Sequence, residues 1–378
     1  MMLSEEQRLI QDTARAFARD HLSPNAAAWD RESRFPAEAI AEMGKIGLMG
    51  IQVPETYGGS DAGMTALAVA LEEIAAGDGA TSTIASVHNG LGMMPILQYG
   101  SDDQKKHWLP RIASGECLTA FALTEPHVGS DAGAIKARAE KRGNGWRLSG
   151  TKQFVTSGST ARLMVTFAVT DPAAGKKGIS AFLVQTDTPG YTVARKETKL
   201  GQKASDTCQI VFDDMDLPAD ALLGAEGQGY RIALSNLEGG RIGIAAQAVG
   251  MARAAFDAAL AYAKEREAFG RKIGEHQAVS FRLADMATAI EAARLMYLNA
   301  AKMRDDGRPC LKEASMAKLF ASEMAEKVCS DAIQIHGGYG YVDDFPVERL
   351  YRDVRVCQIY EGTSDIQRLV IGRALQEG

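Results

Sequence analysis

The spacing of apolar residues along the chain predicts three consecutive parts. Up to about residue 120, apolar positions recur at helical spacing, with Leu9, Ala14 and Phe17 on one stripe. The segment MTALAVALEEIAAGDGA, residues 64–80, predicts a further helix that ends at its glycines. We therefore predict an N-terminal all-α domain over residues 1–120.

Between residues 121 and 226 the pattern changes to short runs that are typical of strands. GWRLSGTKQFVTSG, RLMVTFAVT, ISAFLVQTD and CQIVFDDM contain β-branched and aromatic residues and are bounded by Gly, Pro or Asp. Because no helical segment separates these runs, they predict a small antiparallel β-domain over residues 121–226.

From residue 227 helical spacing returns in long segments. Two of the apolar stripes are formed by Val279, Leu283, Met286 and Ile290, and by Met316, Phe320, Met324 and Val328. Long amphipathic helices with short connections pack as antiparallel bundles, so residues 227–378 are predicted to form a C-terminal four-helix bundle. The predicted fold class is α+β, in the order α, β, α.

Composition and charge exclude several classes of protein. The 378 residues have an ordinary globular balance, and their net charge of −6 argues against a nucleic-acid partner. No apolar run approaches the roughly 20 residues that a membrane-spanning helix needs. The N-terminal segment mixes acids with bases and does not resemble a secretory signal. We therefore expect a cytoplasmic protein without membrane insertion.

Cysteines and histidines carry no metal-site pattern. The five cysteines are far apart, and the six histidines form no H-x-x-x-H or H-E-x-x-H pair. We expect reduced thiols that serve as packing groups, and no metal site.

Two glycine-rich segments are candidate ligand-binding loops. In ALTEPHVGSDAG, residues 122–133, glycines would let the backbone come close to a ligand, and the Thr124 and Ser130 hydroxyls could hold a phosphate or a ring oxygen. A glycine-rich loop between domains is the alternative. GAEGQGY, residues 224–230, lacks the glycine spacing and the βαβ context of a dinucleotide fingerprint, so a nicotinamide site of that type is not expected.

The segment NLEGGRIG places Glu238 and Arg241 three residues apart on one helix face. The same spacing is found in ordinary surface ion pairs. Gly239 and Gly240 favour another explanation, because each costs roughly 1 kcal/mol in a helix interior. The close approach of a ligand or of another chain would account for that cost.

Two further segments have both a binding and a structural interpretation. EREAFGRKIGEHQ carries Arg266, Arg271 and Lys272, which could bind an anionic phosphate or form a solvated basic turn. IQIHGGYGY, residues 333–341, could be only a helix C-terminus with a glycine-rich exit.

The motif YEGTSDIQ places an acid directly after the apolar pair Ile359 and Tyr360. Ser364 and Gln367 form an S-x-x-Q capping box that is predicted to start the last helix. Glu361 therefore lies just before a helix N-terminus, where it could support the helix end or perform chemistry. Spacing alone leaves both interpretations open.

Taken together, the motifs LTEPHVGSDAG, NLEGGRIGIAAQ, REAFGRKI, QIHGGYGY and IYEGTSDIQRL resemble the acyl-CoA dehydrogenase family of flavoproteins over essentially the whole chain. The likeness is greatest to short-chain and short/branched-chain members. The resemblance implies FAD held between the β-domain and the C-terminal helices, in a homotetramer built as a dimer of dimers. It also implies electron-transferring flavoprotein as the partner that reoxidises the cofactor.

The resemblance also assigns residues to the cofactor and the substrate. The residues that would contact FAD within the subunit are Phe121, Leu123, Thr124, Ser130, Phe154, Thr156, Thr363 and Asp365. Those that would reach the FAD of a partner subunit are Arg266, Phe269, Gln277, Gln334, Gly337 and Gly338. Those that would contact the acyl-CoA are Ser130, Glu238, Arg241 and Gly362.

The implied reaction is α,β-desaturation of a short-chain or short branched-chain acyl-CoA to the trans-2-enoyl-CoA. Glu361 would remove the α proton while a hydride passes to flavin N5. The backbone N–H of Glu361 and a ribityl hydroxyl would stabilise the developing enolate. Apolar surroundings would raise the pKa of Glu361 towards neutrality, whereas a helix N-terminus would lower it.

Two departures from the family pattern bear on these assignments. Phe154 stands where many members have Trp; it can stack on a flavin, but it has no N–H donor and less area. Gly240 stands directly before Arg241, where a minority of members carry the catalytic glutamate. That glycine selects Glu361 as the base and argues against the isovaleryl-type and long-chain-type arrangements.

Two alternatives remain open at this point. A flavin-dependent acyl-CoA oxidase or related monooxygenase on the same fold would pass electrons to oxygen, and a non-catalytic member would use the fold as a binding module. The complete motif set argues against the second. Acyl-chain preference is expected to depend on residues around 80–100 and 230–240, with SVHNGLG at residues 86–92 as a candidate lining.

Overall fold

The structure, a computed structural model, describes residues 3–377 and has helices, a sheet and helices in that order. The N-terminal helices are α1 (Glu5–Phe17), α2 (Ala26–Glu32), α3 (Ala37–Lys45), α4 (Gly63–Gly77), α5 (Gly79–Val87), α6 (Met94–Tyr99) and α7 (Asp102–Ala113). Short π-helical turns over Ala18–Leu22 and His88–Gly92 extend α1 and α5. The predicted helical N-terminal part is confirmed.

Two details of this part differ from the sequence prediction. Leu9 is 66% exposed, so the buried stripe of α1 includes Ala14 and Phe17 but not Leu9. The predicted helix ends at Gly77, but Gly79 starts the next helix instead of closing the first. The reason is the Asp78 carboxylate, which accepts a hydrogen bond from the Thr81 N–H at 2.8 Å and caps α5.

The middle part is a sheet of eight strands within the described residues. They are β1 (Thr119–Ala122), β2 (Arg138–Arg142), β3 (Gly145–Thr156), β4 (Leu163–Val169), β5 (Ile179–Gln185), β6 (Tyr191–Lys196), β7 (Thr207–Leu217) and β8 (Leu222–Leu223). Their order is β6-β7-β3-β2-β4-β5-β8, and β1 pairs with β4. The four predicted runs correspond to β3, β4, β5 and β7.

The sheet is mixed, so the prediction of a purely antiparallel sheet is wrong for two pairings. Both β1 and β2 run parallel to β4, with Thr119 opposite Leu163 and Arg138 opposite Val169. The other pairings are antiparallel. Alternation of side chains predicts a strand but not its neighbour, because pairing depends on how the chain returns to the sheet.

The C-terminal part is a helix bundle, as predicted. Its helices are α8 (Gly229–Glu265), α9 (Gln277–Asp305), α10 (Leu311–His336), α11 (Val347–Val354) and α12 (Ser364–Glu377). The ribbon β9 (Glu267–Ala268) and β10 (Arg271–Lys272) lies between α8 and α9. Helix α10 packs against α8, α9 and α12, which makes these four helices the bundle.

Short 3-10 helices complete the connections. They cover Glu55–Tyr57, Ala132–Ala134, Pro172–Gly178, Ala219–Ala221, Ile273–Glu275, Gly337–Gly340 and Arg355–Gln358. The last of these leads into the turn that carries Glu361.

The buried faces of α9 and α10 agree only partly with the predicted stripes. Leu283, Met286 and Ile290 of α9 are buried, but Phe320 of α10 is 40% exposed. The buried face of α10 is rich in alanine and includes a lysine; it comprises Ala314, Ala317, Lys318, Ala321 and Ala325. Small side chains allow α10 and α8 to approach closely.

Two buried carboxylates join α4 to the bundle. Glu72 accepts hydrogen bonds from the Arg294 guanidinium of α9, at 2.6 Å for Nη2. Glu73 accepts from the Arg253 guanidinium of α8. Since both carboxylates are almost fully buried, these charge-assisted bonds set the position of α4 against α8, which carries part of the candidate site.

Candidate active site

Three elements meet at Glu361: the turn before α12, the middle of α8 and the first half of α10. The turn places Glu361 at φ 52° and Gly362 at φ 92°, both in the left-handed region. That region is strained for a residue with a side chain, and such strain is concentrated at functional sites. Glu361 is thus held in an unusual backbone conformation.

Gly240 of α8 makes room for the Glu361 side chain. A Cβ atom at position 240 would lie 1.9 Å from Oε2 of Glu361, closer than any side chain allows. The neighbouring Gly239 faces the Arg304 guanidinium, whose Cζ would lie 3.2 Å from an added Cβ. The glycine pair in α8 is therefore explained by side chains that approach the helix closely.

One oxygen of the Glu361 carboxyl group is shielded from water, although the residue as a whole is half-buried. Oε2 is inaccessible to solvent and has no hydrogen-bond partner among residues 3–377. Burial raises the pKa of Glu361 to about 7, and the positive charges of Lys318 and Arg241 oppose that rise. Burial, which the sequence predicts to raise this pKa, outweighs the two positive charges.

Arg241 is buried next to this acid, so the surface ion-pair interpretation is wrong. It is 7% exposed, and its Nε and Nη1 atoms have no partner in the described part of the chain. Glu238 instead contacts Arg304 at 3.7 Å and accepts a hydrogen bond from the Cys310 thiol at 3.3 Å. Because a buried unpaired guanidinium is costly, Arg241 is a strong candidate to bind a ligand.

A narrow cavity borders Gly240. Its volume is about 20 Å³, and it is lined by Gln52, Met64, Leu67, Leu71, Ser86, Gly90, Met94, Asn236, Gly239, Gly240, Gly243 and Arg304. The predicted lining segment contributes Ser86 and Gly90. Most of the wall is apolar or glycine, and the volume is that of about one water molecule.

Several of the residues assigned to FAD lie on the sheet or in the loop after β1. The Gln153 N–H donates to the Thr124 carbonyl at 2.8 Å, which joins the loop after β1 to β3. Lys152 also donates to the Leu123 carbonyl at 3.2 Å. Phe154 follows a register shift in β3, has φ 57° and is 65% exposed. The fold therefore brings Leu123, Thr124 and Phe154 together and displays an aromatic ring.

The other predicted cofactor residues near the sheet and α12 have more ordinary surroundings. The Phe121 ring packs on Phe167 with centroids 5.0 Å apart, and Thr156 pairs with Thr207. Ser130 is exposed in its loop, and the Asp365 side chain is 91% exposed.

The predicted capping box at α12 is wrong by one residue. Thr363, not Ser364, caps the helix: its Oγ1 accepts from the Ile366 N–H at 3.3 Å. Ser364 is the first helical residue. The Gln367 side chain instead donates to the Gly362 carbonyl at 2.8 Å, so it supports the Glu361 turn. Because the cap lies one residue earlier than predicted, the Gln367 side chain does not belong to the capping box and can bond to the Gly362 carbonyl.

The residues expected to serve a partner subunit lie on the exposed surface. Phe269 is 96% exposed in the connection between α8 and α9. Arg266, Gln277, Gln334, Gly337 and Gly338 are also exposed, at the ends of α8, α9 and α10.

These features fit a flavin nucleotide. Phe154 offers an exposed face for a ring system, and the Thr124 carbonyl is bonded to the neighbouring Gln153 N–H. Cβ atoms at Gly337 and Gly338 would meet nothing within 4 Å, so a ligand could approach their backbone.

Three contributors to the site were missed by sequence reasoning. Lys318 is 1% exposed and donates to the Gly362 carbonyl at 2.5 Å. Arg304 and Asn236 line the cavity. The available signal for Lys318 was its place in the alanine stripe of α10, four residues after Ala314.

Comparison with protein families agrees with this architecture. Family models described as acyl-CoA dehydrogenase N-terminal, middle and C-terminal domains match residues 4–116, 120–215 and 227–376. The chain belongs to the acyl-CoA dehydrogenase family. Members are FAD-dependent oxidoreductases, so the predicted family, enzyme class and cofactor are confirmed.

Similar proteins cover nearly the whole chain. The mitochondrial short-chain specific acyl-CoA dehydrogenase of Bos taurus is 48% identical over 98% of this chain and 90% of that protein. Butyryl-CoA dehydrogenase from Megasphaera elsdenii has a TM-score of 0.98 and 39% identity, over 100% of this chain and 99% of that one. A chain in the structure described as the electron transferring flavoprotein of Acidaminococcus fermentans has a TM-score of 0.99 and 42% identity, over 100% of both.

Two further features concern the length of the apolar helices and the state of the cysteines. No helix in residues 3–377 is long and apolar enough to cross a membrane. Cys117, Cys208, Cys310, Cys329 and Cys357 are all buried free thiols.

The contact between Gly240 and Glu361 predicts the effect of one added methyl group. Gly240→Ala should displace the Glu361 carboxyl group and slow reduction of the bound flavin by acyl-CoA about 100-fold. Stopped-flow bleaching of the flavin measures this rate. Gly372→Ala in α12, where a Cβ meets nothing within 4 Å, is the matched control and should keep the original rate. Equal rates in both variants would show that the contact is unimportant.

Proposed function

We propose that this chain desaturates a short-chain or short branched-chain acyl-CoA to the trans-2-enoyl-CoA, with Glu361 as the base that removes the α proton. One observation carries the proposal. One oxygen of the Glu361 carboxyl group, Oε2, is shielded from water and rests against Gly240, a residue that lines the cavity. A carboxylate in that position could act as the general base for a ligand bound against Gly240.

The acidity of Glu361 suits this role. A general base works best when its pKa lies near the working pH, and burial raises the pKa of Glu361 to about 7. The Glu361 carboxyl group is then substantially ionised at neutral pH and basic enough to remove a weakly acidic α proton. Exclusion of water by the bound acyl chain strengthens the effect.

Hydrogen-bond donors in the Glu361 turn and on α8 would stabilise the enolate. The Glu361 N–H makes no hydrogen bond to any residue from 3 to 377, so it is available to the thioester oxygen. The unpaired Nε and Nη1 atoms of buried Arg241 are available to the ligand as well. Gly362 would contact the acyl-CoA within this turn, and Ser130 and Glu238 are assigned to the same ligand.

Bound FAD supplies the acceptor for the β hydride. Within the subunit Phe121, Leu123, Thr124, Ser130, Phe154, Thr156, Thr363 and Asp365 would hold it. The exposed aromatic ring of Phe154 and the neighbouring Thr124 support this assignment. Arg266, Phe269, Gln277, Gln334, Gly337 and Gly338 would hold the cofactor of a partner subunit in a homotetramer. Their exposure in the single chain supports that arrangement.

A short acyl chain is supported by the names of two similar proteins. The bovine relative is named for short-chain substrates, and the Megasphaera neighbour for butyryl-CoA. The similarity to a chain in the Acidaminococcus structure supports electron-transferring flavoprotein as the electron acceptor. We place the reaction in the cytoplasm.

Removal of the base tests the assignment of Glu361. Glu361→Gln is nearly isosteric but cannot accept the proton, so flavin bleaching by butyryl-CoA should slow by about 10³-fold. Retention of the yellow FAD spectrum shows that the variant still folds and binds cofactor. Glu348→Gln, on the neighbouring helix α11, controls for loss of one negative charge. Bleaching of Glu361→Gln at the original rate would refute the assignment.

A substrate panel tests chain length and electron acceptor together. We expect kcat/KM to be at least about tenfold higher for butyryl-CoA than for octanoyl-CoA, because the bovine relative and the Megasphaera neighbour are both named for short-chain substrates. Isobutyryl- and 2-methylbutyryl-CoA resolve the branched-chain preference. Turnover should require electron-transferring flavoprotein. Equal kcat/KM for the two straight chains would contradict the short-chain proposal, and stoichiometric hydrogen peroxide without that partner would assign the oxidase alternative.

A further inference from the structure

A buried lysine lies beneath the Glu361 turn. Lys318 belongs to the face of α10 that packs on α8, where its neighbours Ala314, Ala317 and Ala321 are fully buried. A lysine at 1% exposure is unusual, because desolvation of an ammonium group is costly unless it is paired. Its position therefore requires an explanation.

The ammonium group of Lys318 ends at the turn that carries the catalytic acid. Nζ donates to the Gly362 carbonyl at 2.5 Å, and Gln367 Nε2 donates to the same oxygen at 2.8 Å. Two donors thus hold one carbonyl of a turn whose residues Glu361 and Gly362 are both left-handed. Such a strained conformation persists only where its surroundings fix it.

The charge of Lys318 also acts on the Glu361 carboxyl group. Lys318 and Arg241 are the two positive charges that oppose the effect of burial on Glu361. In return, Glu361 supports the charge of Lys318, whose pKa burial lowers to about 8. The other titratable groups here, Cys357 and Tyr360, have pKa values raised by burial and stay neutral near pH 7.

We propose that Lys318 is a positioning residue for the desaturation reaction: it clamps the Glu361–Gly362 turn and, while protonated, supplies a positive charge beside the base. The inference rests on the proposed role of Glu361. Lys318 does not line the cavity, so it acts through Glu361 and not on the substrate. It is distinct from Arg241, whose guanidinium has free donors for a ligand.

Two substitutions separate the clamp from the charge. Lys318→Met removes both, whereas Lys318→Gln removes the charge and keeps an N–H donor. Without the charge, the pKa of Glu361 should rise, so a higher pH is needed to form the carboxylate. Lys327→Met, an exposed lysine of the same helix that pairs with Asp331 at 2.6 Å, is the matched control.

The readout is the pH profile of flavin bleaching by butyryl-CoA in the FAD-loaded protein. In the original chain the rate should rise with pH through about 7, the pKa of Glu361. In both Lys318 variants the midpoint should move up by about one unit, which lowers the rate about tenfold below the midpoint. At high pH, Lys318→Gln should recover most of the original rate, and Lys318→Met should recover less because its turn is no longer clamped.

A purely structural lysine would give a different result. The rate would then fall by the same factor at every pH, with the midpoint unchanged, and this outcome overturns the proposal. Failure of both variants to fold with FAD also counts against it. Parallel measurement of Glu361→Gln distinguishes failure of the proposed base, Glu361, from failure of the proposed role of Lys318. An active Glu361→Gln refutes the base itself, whereas an inactive Glu361→Gln with unshifted Lys318 profiles refutes only the role of Lys318.

Discussion

The site depends on burying one carboxyl group against the backbone of a helix. Glu361 reaches the surface of α8 at Gly240, where any Cβ would collide with it, and two cations flank it. Burial alone would keep such a group protonated and inert. The nearby charges of Lys318 and Arg241 counter this effect, so the acid stays within reach of the ionised state near neutral pH.

The surrounding fold supplies what this arrangement requires. A helix with glycines at 239 and 240 remains continuous because it is packed on several sides, including by α4 and α10. The alanine face of α10 brings that helix close enough for Lys318 to reach the Gly362 carbonyl. The buried carboxylates of α4 pair with arginines of α8 and α9 and fix these helices in place. The destabilising features at the site are thereby concentrated in a small volume within a well-packed bundle.

The sequence predicts most of the fold but only part of the site. The long helices and four central strands follow from apolar periodicity, whereas β2 (RAEKR) and β6 are too polar to be recognised. Glu361 was found through the resemblance of its motif, since spacing left its role open. The glycine at position 240 indicated that another group comes close to α8, but the sequence did not identify that group as the Glu361 side chain. Lys318 was missed because a charged residue on a helix is normally assigned to solvent, and only packing shows that it points inward.

Burial and the two nearby cations together hold the Glu361 carboxyl group near its ionisation midpoint at neutral pH. Isotope-edited infrared difference spectroscopy of the FAD-loaded protein, from about pH 5 to 9, can follow the carboxyl C=O band that is absent in Glu361→Gln. This band should disappear with a midpoint near pH 7 as the pH rises. A midpoint near 4.5, the ordinary value for glutamate, would contradict it.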